Sequence, residues 1–172
     1  YAGVTLIDYL ETVDTERSSR SNTFRFPVQY VNRPSTDFRG SSGTVLGGVA
    51  KPGDAIVVSP SGKTSRVKRI VVMNEEPASI GQRQTATLVL DDELDISRGD
   101  VISFPDTRPD VAHLLRATII WCSDNSLMPG RSYLVKMASA KTQATVTRIL
   151  HRVNLNGLVH DPAHELNSND VG

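Results

Sequence analysis

A single cysteine, Cys122, among 172 residues rules out a disulfide within the chain and fits a reducing compartment. Excess charge is missing too, since 19 Lys and Arg balance 19 Asp and Glu. A chain that grips a phosphate backbone usually carries a basic surplus, so nucleic acid is not expected as a partner. No apolar run approaches the ~20 residues of a membrane-spanning helix, and no signal peptide opens the chain. No membrane partner is therefore expected, and the expected location is cytoplasmic. The first residue is Tyr1 rather than Met and a helical pattern follows at once, as in a piece of a longer protein. What is present is the composition of a folded chain, 38% apolar and 22% charged, long enough for one medium domain or two small ones.

Helical spacing is confined to residues 4–13, where Thr5 and Asp8 form a start signal and Leu6, Ile7, Leu10 and Val13 share a face. Residues 14–23 are polar and read as a linker. From Phe24 the period becomes two, which places Phe24, Phe26, Val28 and Tyr30 on one predicted inward face. Gly40, Gly43, Gly47 and Gly48 then punctuate a second strand expected at 44–46. Further strands are expected at 56–58, 65–73, 85–90, 96–100 and 101–104, separated by turns such as Lys51-Pro52-Gly53-Asp54. The fold class is mainly β, with an antiparallel barrel over 20–104. Beyond a junction at 105–109, Ala117, Ile119 and Trp121 alternate, and 133–137 with 142–153 read as a hairpin. The tail, 154–172, is polar. A barrel needs five or six strands and this part supplies three or four, so the second barrel is expected to be incomplete.

Several chemical signals fail on a specific residue. Gly62-Lys63-Thr64 resembles the end of a phosphate-binding loop, but Val57 stands where its first glycine belongs and no helix pattern follows. Residues 91–95, DDELD, have the oxygen density of a calcium loop, yet Ile96 replaces the required glycine. Arg98-Gly99-Asp100 reads as a turn. His160 and His164 have the spacing of two ligands on a helix, and His113, His151 and Cys122 add no supporting pattern. His151, between Ile149 and Val153, reads as a packed histidine rather than a base. Catalytic, cofactor-binding and metal residues are accordingly not assigned.

The run Phe26-Pro27-Val28-Gln29-Tyr30-Val31-Asn32-Arg33-Pro34, then Asp37-Phe38-Arg39-Gly40 and Gly43-Thr44-Val45, resembles one family. So do Ser65-Arg66-Val67-Lys68-Arg69-Ile70-Val71, Ile96-Ser97-Arg98-Gly99-Asp100, Pro129-Gly130-Arg131 and Ala144-Thr145-Val146-Thr147-Arg148-Ile149. The chain is similar to the large, GTP-hydrolysing subunit of bacterial sulfate adenylyltransferase, a relative of elongation factor Tu. That resemblance implies a GTP-binding domain followed by two β-barrels. Residues 1–19 correspond to the end of the first, 20–104 to the second domain and 105–172 to part of the third. It also implies GTP, Mg and ATP chemistry in the parent, a fused adenylylsulfate kinase in some members, and coupling of GTP hydrolysis to the synthesis of adenosine 5′-phosphosulfate from ATP and sulfate. No cofactor falls on these residues, because the nucleotide motifs lie outside them. The implied partners are the GTP-binding domain of the same parent and the small ATP-sulfurylase subunit. Unpaired strand edges of an incomplete barrel add strand-edge self-association.

Asn32, Arg33, Asp37, Phe38 and Arg39 are the residues selected for partner or interdomain contact. Polar groups and an aromatic beside a glycine-rich bend make a rim and an anchor, and Arg is enriched at interfaces. The competing function is an RNA-binding barrel of a translation-type GTPase, which the zero net charge disfavours.

Overall fold

The computed structural model describes residues 3–13, 23–35, 38–73, 75–154 and 156–172. It contains two compact units, Tyr1–Pro109 and Asp110–Gly172.

In the first unit, helix α1 (Leu6–Thr12) begins where the start signal places it. The Thr5 side chain accepts a hydrogen bond from the Asp8 N–H at 3.2 Å and donates one to the Asp8 carboxylate at 2.7 Å. Leu6, Ile7 and Leu10 are exposed. The linker read at 14–23 lies, except for Thr23, outside the described residues.

Eight strands follow: β1 (Arg25–Ser35), β2 (Phe38–Thr44), β3 (Val49–Ala50), β4 (Ala55–Ser59), β5 (Thr64–Val71), β6 (Ile80–Gly81), β7 (Thr85–Leu90) and β8 (Val101–Ser103). Six of them close a barrel in the order β1-β2-β7-β5-β4-β8, with β8 returning to pair with β1, while β3 and β6 form a separate ribbon. Period-two alternation sends Ala86 and Leu88, and Phe24, Phe26 and Val28, inward, while Val67 and Ile70, three apart, both reach the core because the β5–β7 register shifts between Val67 and Arg69. Strand β4 is buried on both faces from Ile56 to Ser59, in keeping with its unbroken apolar run. Each fully buried large side chain contributes roughly 1.5–3 kcal/mol, so this cluster dominates the unit's stability.

Two glycines explain local geometry. Gly53 takes φ 92° in the Lys51–Asp54 turn, where the Asp54 carboxylate also accepts from the Lys51 N–H at 2.8 Å. Gly43 faces the β1 backbone so closely that a Cβ there would lie 2.3 Å from the Pro27 carbonyl oxygen.

Three details differ from the sequence expectation. Strand β2 runs through Gly40 and Gly43 and ends at Thr44, so these glycines allow close strand approach rather than punctuate. Residues 96–100 form a turn instead of a strand, with the Asp100 carboxylate accepting from the Ser97 N–H at 2.9 Å. Tyr30 is 64% exposed and Val31 packs against the core in its place. The reason is a register shift between Val28 and Tyr30, which flips the side-chain alternation beyond it.

The second unit carries β9 (Ser132–Met137), β10 (Ala140–Thr145), β11 (Arg152–Asn154) and β12 (Val159–Asp161), paired as two separate ribbons, β9 with β10 and β11 with β12. The hairpin expected from 133–137 and 142–153 is present but shorter on its second side, which ends at Thr145. The 117–121 segment is not a strand. It is held by the chain end, through Ile119 N–H to the Gly172 carbonyl at 2.7 Å and Trp121 N–H to the Asp170 carbonyl at 2.9 Å. The tail read as merely polar therefore has a structural task, and Leu166 within it is buried against Leu127 through reciprocal backbone bonds of 3.1 and 2.8 Å.

Candidate interaction site

The described members of the sequence-selected contact set, Asn32, Arg33, Phe38 and Arg39, fall on one feature of the first unit, the long β1–β2 hairpin. β8 covers only Arg25–Pro27 of β1, and β7 covers only Ser41–Thr44 of β2. Residues 30–35 and 38–40 thus form a two-stranded arm beyond the closed part of the barrel, paired from Tyr30 opposite Ser42 to Asn32 opposite Gly40 and, after a register shift, Ser35 opposite Phe38. A two-stranded ribbon is marginal in water unless something holds it.

Two side chains on β2 tether the arm. The Arg69 guanidinium carbon lies 5.4 Å from the Phe38 ring centroid, and Arg69 also pairs with Glu76 at 3.0 Å. Arg39 reaches the Asp95 carboxylate at 3.5 Å, in the loop that precedes β8. These are surface contacts, each worth about 1 kcal/mol or less. Phe38 and Arg39 are therefore half-buried and already engaged within the barrel. Asn32 is half-buried, Arg33 is exposed, and Asp37 lies outside the described residues.

The freer groups include two that the sequence did not single out. Gln29, Tyr30, Val31, Arg33, Asp95, Ile96, Ser97 and Arg98 line an open groove of about 480 Å³ beside β1. Arg98 Nη1 donates to the Gln29 carbonyl at 3.3 Å, which holds the 95–98 loop against the strand. Strict alternation assigns Tyr30 to the core, and Arg98 falls in the 96–100 stretch expected as a strand or turn. The signal that finds Tyr30 is the bulge, and a bulge leaves no mark in residue type.

The other sequence signals are accounted for by packing. Gly62-Lys63-Thr64 lies in the β4–β5 hairpin turn, where Gly62 N–H donates to the Val58 carbonyl at 2.7 Å. In the 91–95 loop, Asp92 accepts from the Ser65 hydroxyl at 2.7 Å, and a smaller hollow of about 130 Å³ beside it is lined by Arg39, Lys68 and the acidic loop. His160 stacks on His151, with ring centroids 3.8 Å apart and planes at 8°, and not on His164. Among the described residues no three His, Cys, Asp or Glu side chains converge as a metal group. The geometry offers a surface for docking.

Similarity to known proteins gives that surface a context. The chain is 49% identical over its full length to the bifunctional enzyme NodQ of Rhizobium sp. (strain N33), of which it covers 27%. It is 44% identical, again over all 172 residues, to sulfate adenylyltransferase subunit 1 of Shewanella oneidensis, of which it covers 36%. Over its whole length the chain is thus similar to sulfate adenylyltransferase subunit 1 and NodQ sequences. It spans about a third or less of the length of these subunit 1 and NodQ relatives. Residues 114–172 also match the family described as GTP-eEF1A C-terminal domain-like. Among solved structures, Sup35 complexed with GDP superposes with a TM-score of 0.70 over 99% of this chain and 42% of that one, at 17% identity. That likeness establishes the fold, a translation-factor-like arrangement of β structure. Along the part of these relatives that the chain matches, its described residues fold mainly as β structure.

Proposed function

We propose that the chain is a non-catalytic β-domain portion of a GTP-hydrolysing sulfate adenylyltransferase subunit, coupling GTP hydrolysis to synthesis of adenosine 5′-phosphosulfate from ATP and sulfate. The observation that carries this reading is full-length identity of 41–49% to NodQ and subunit 1 sequences. The parent's GTP and Mg bind outside these residues, in a GTP-binding domain of the same chain, and the small ATP-sulfurylase subunit is the partner. A cytoplasmic location follows from that chemistry, and no helix among the described residues is long and apolar enough to cross a membrane.

The β1–β2 arm, with Asn32, Arg33, Phe38 and Arg39, is the proposed contact region, and Asp37 is assigned to the same contact from the sequence. Its two tethers make the arm's position depend on the barrel, as a coupling element requires. In the complete subunit, Phe38→Ala with Arg39→Ala is expected to weaken assembly with the small subunit or abolish GTP-dependent stimulation. Circular dichroism should show the barrel still folded. Unchanged assembly together with unchanged stimulation would remove these residues from the contact.

Self-association of the 172-residue chain belongs to the same reading. Leu134 and Met137 on β9 are largely exposed, and among the described residues neither β9 nor β10 has a second neighbour. Such ribbons invite edge pairing. Sedimentation should detect dimers that Leu134→Lys with Met137→Lys reduces. A strictly monomeric chain at high concentration would contradict this.

A further inference from the structure

We propose that the open edge of β1 over residues 29–33 docks an extended acidic segment of a partner protein, added as a short strand beside the barrel. Backbone pairing on that side of β1 stops at Val28, which donates to the Asp100 carbonyl at 2.8 Å and accepts from the Gly99 N–H at 2.9 Å. Among the described residues no strand continues the sheet beyond that point. Pro34 has no N–H to offer, so the usable edge closes there. That leaves about five residues, the length over which added strands are commonly recognised.

The groove along this edge sets the chemistry of the occupant. Arg33 and Arg98 stand on it and meet no carboxylate among the described residues, since Arg98 donates only to the Gln29 carbonyl. The nearby carboxylates are engaged, Asp95 by Arg39 and Asp100 by the Ser97 N–H. The groove thus carries two guanidinium groups with no carboxylate partner among the described residues against one carboxylate, Asp95, which faces Arg39, in a chain with no net charge. Arg forks suit carboxylates, and the exposed Tyr30 ring beside them supplies the apolar anchor that strand addition alone lacks. An extended chain with carboxylates at alternate positions satisfies both demands. Such docking would hold whatever nucleotide chemistry accompanies the chain.

Fluorescence anisotropy with the whole 172-residue chain and a labelled octapeptide alternating Glu and Val tests this. Saturable binding is expected, weakening with added salt and falling about tenfold or more in Arg33→Glu with Arg98→Glu. A matched peptide alternating Lys and Val should not bind. Hydrogen exchange should show new protection at the amides of residues 29–33 when the acidic peptide is bound, and a melting curve confirms that the variant folds. Absence of saturable binding, equal binding by the charge-reversed variant, or protection elsewhere would overturn the proposal. So would an oligouridylate of the same length binding more tightly and displacing the peptide, which would make the edge an RNA site.

Discussion

Phe26 and Tyr30 lie four positions apart in one strand and meet opposite environments, 0% and 64% exposed. Strict alternation gives them the same face, and the bulge between Val28 and Tyr30 separates them. Phe26→Ala should therefore cost about 3–5 kcal/mol in urea unfolding, because it empties a closed core. Tyr30→Ala should stay within about 0.5 kcal/mol, as an exposed site does. Equal losses would mean that the register shift is absent. At the same scale, Phe38 and Arg39, selected from residue type as an aromatic anchor and an interface arginine, also contact Arg69 and Asp95 within the barrel. Their partners lie far away in sequence, so residue type alone could not distinguish a tether from a docking group. Gly43→Ala tests close packing in another way. The new Cβ would meet the Pro27 carbonyl, and a loss of about 1–3 kcal/mol is expected in the same unfolding measurement.

Elements differ in how much holds them. Helix α1 has a cap and an apolar face but no buried residue. Thr5→Ala should cost the helix about 1 kcal/mol locally, read from helical circular dichroism of the chain, and leave the barrel's melting temperature unmoved. In the β9–β10 hairpin the strands are exposed except at the half-buried Tyr133 and Ala140, and Ser139 in the turn is buried, whereas β5 and β7 sit between neighbours in the barrel. Amides of 132–145 should accordingly exchange well before those of β5 and β7. Simultaneous exchange would show that the hairpin shares the barrel's cooperativity. The sequence located this hairpin, because alternation and a two-residue turn are local. The shortness of its second strand and the pairing of 119–121 with the chain end depend on contacts across the unit, and neither was legible.

The two units of the molecule have unequal cores. The large buried cluster lies wholly within the first, while Leu127 and Leu166 are the buried hydrophobic residues of the second among those described. Calorimetry should show two transitions, the lower belonging to the second unit. A single transition would mean the units unfold as one. Length, balanced charge, a lone cysteine and period-two patterning determined the class of this protein on their own, because each rests on local chemistry. The absence of excess charge, which spoke against a phosphate-backbone partner, acquired a finer meaning in three dimensions. Folding sets Asp95 beside Arg39 and Asp100 on the Ser97 N–H, while Arg33 and Arg98 line one open groove with no carboxylate partner among the described residues. Net charge is a sum over the chain and is fixed by sequence. Which charges remain unpaired, and where they gather, depends on register, and only the tertiary structure decides that.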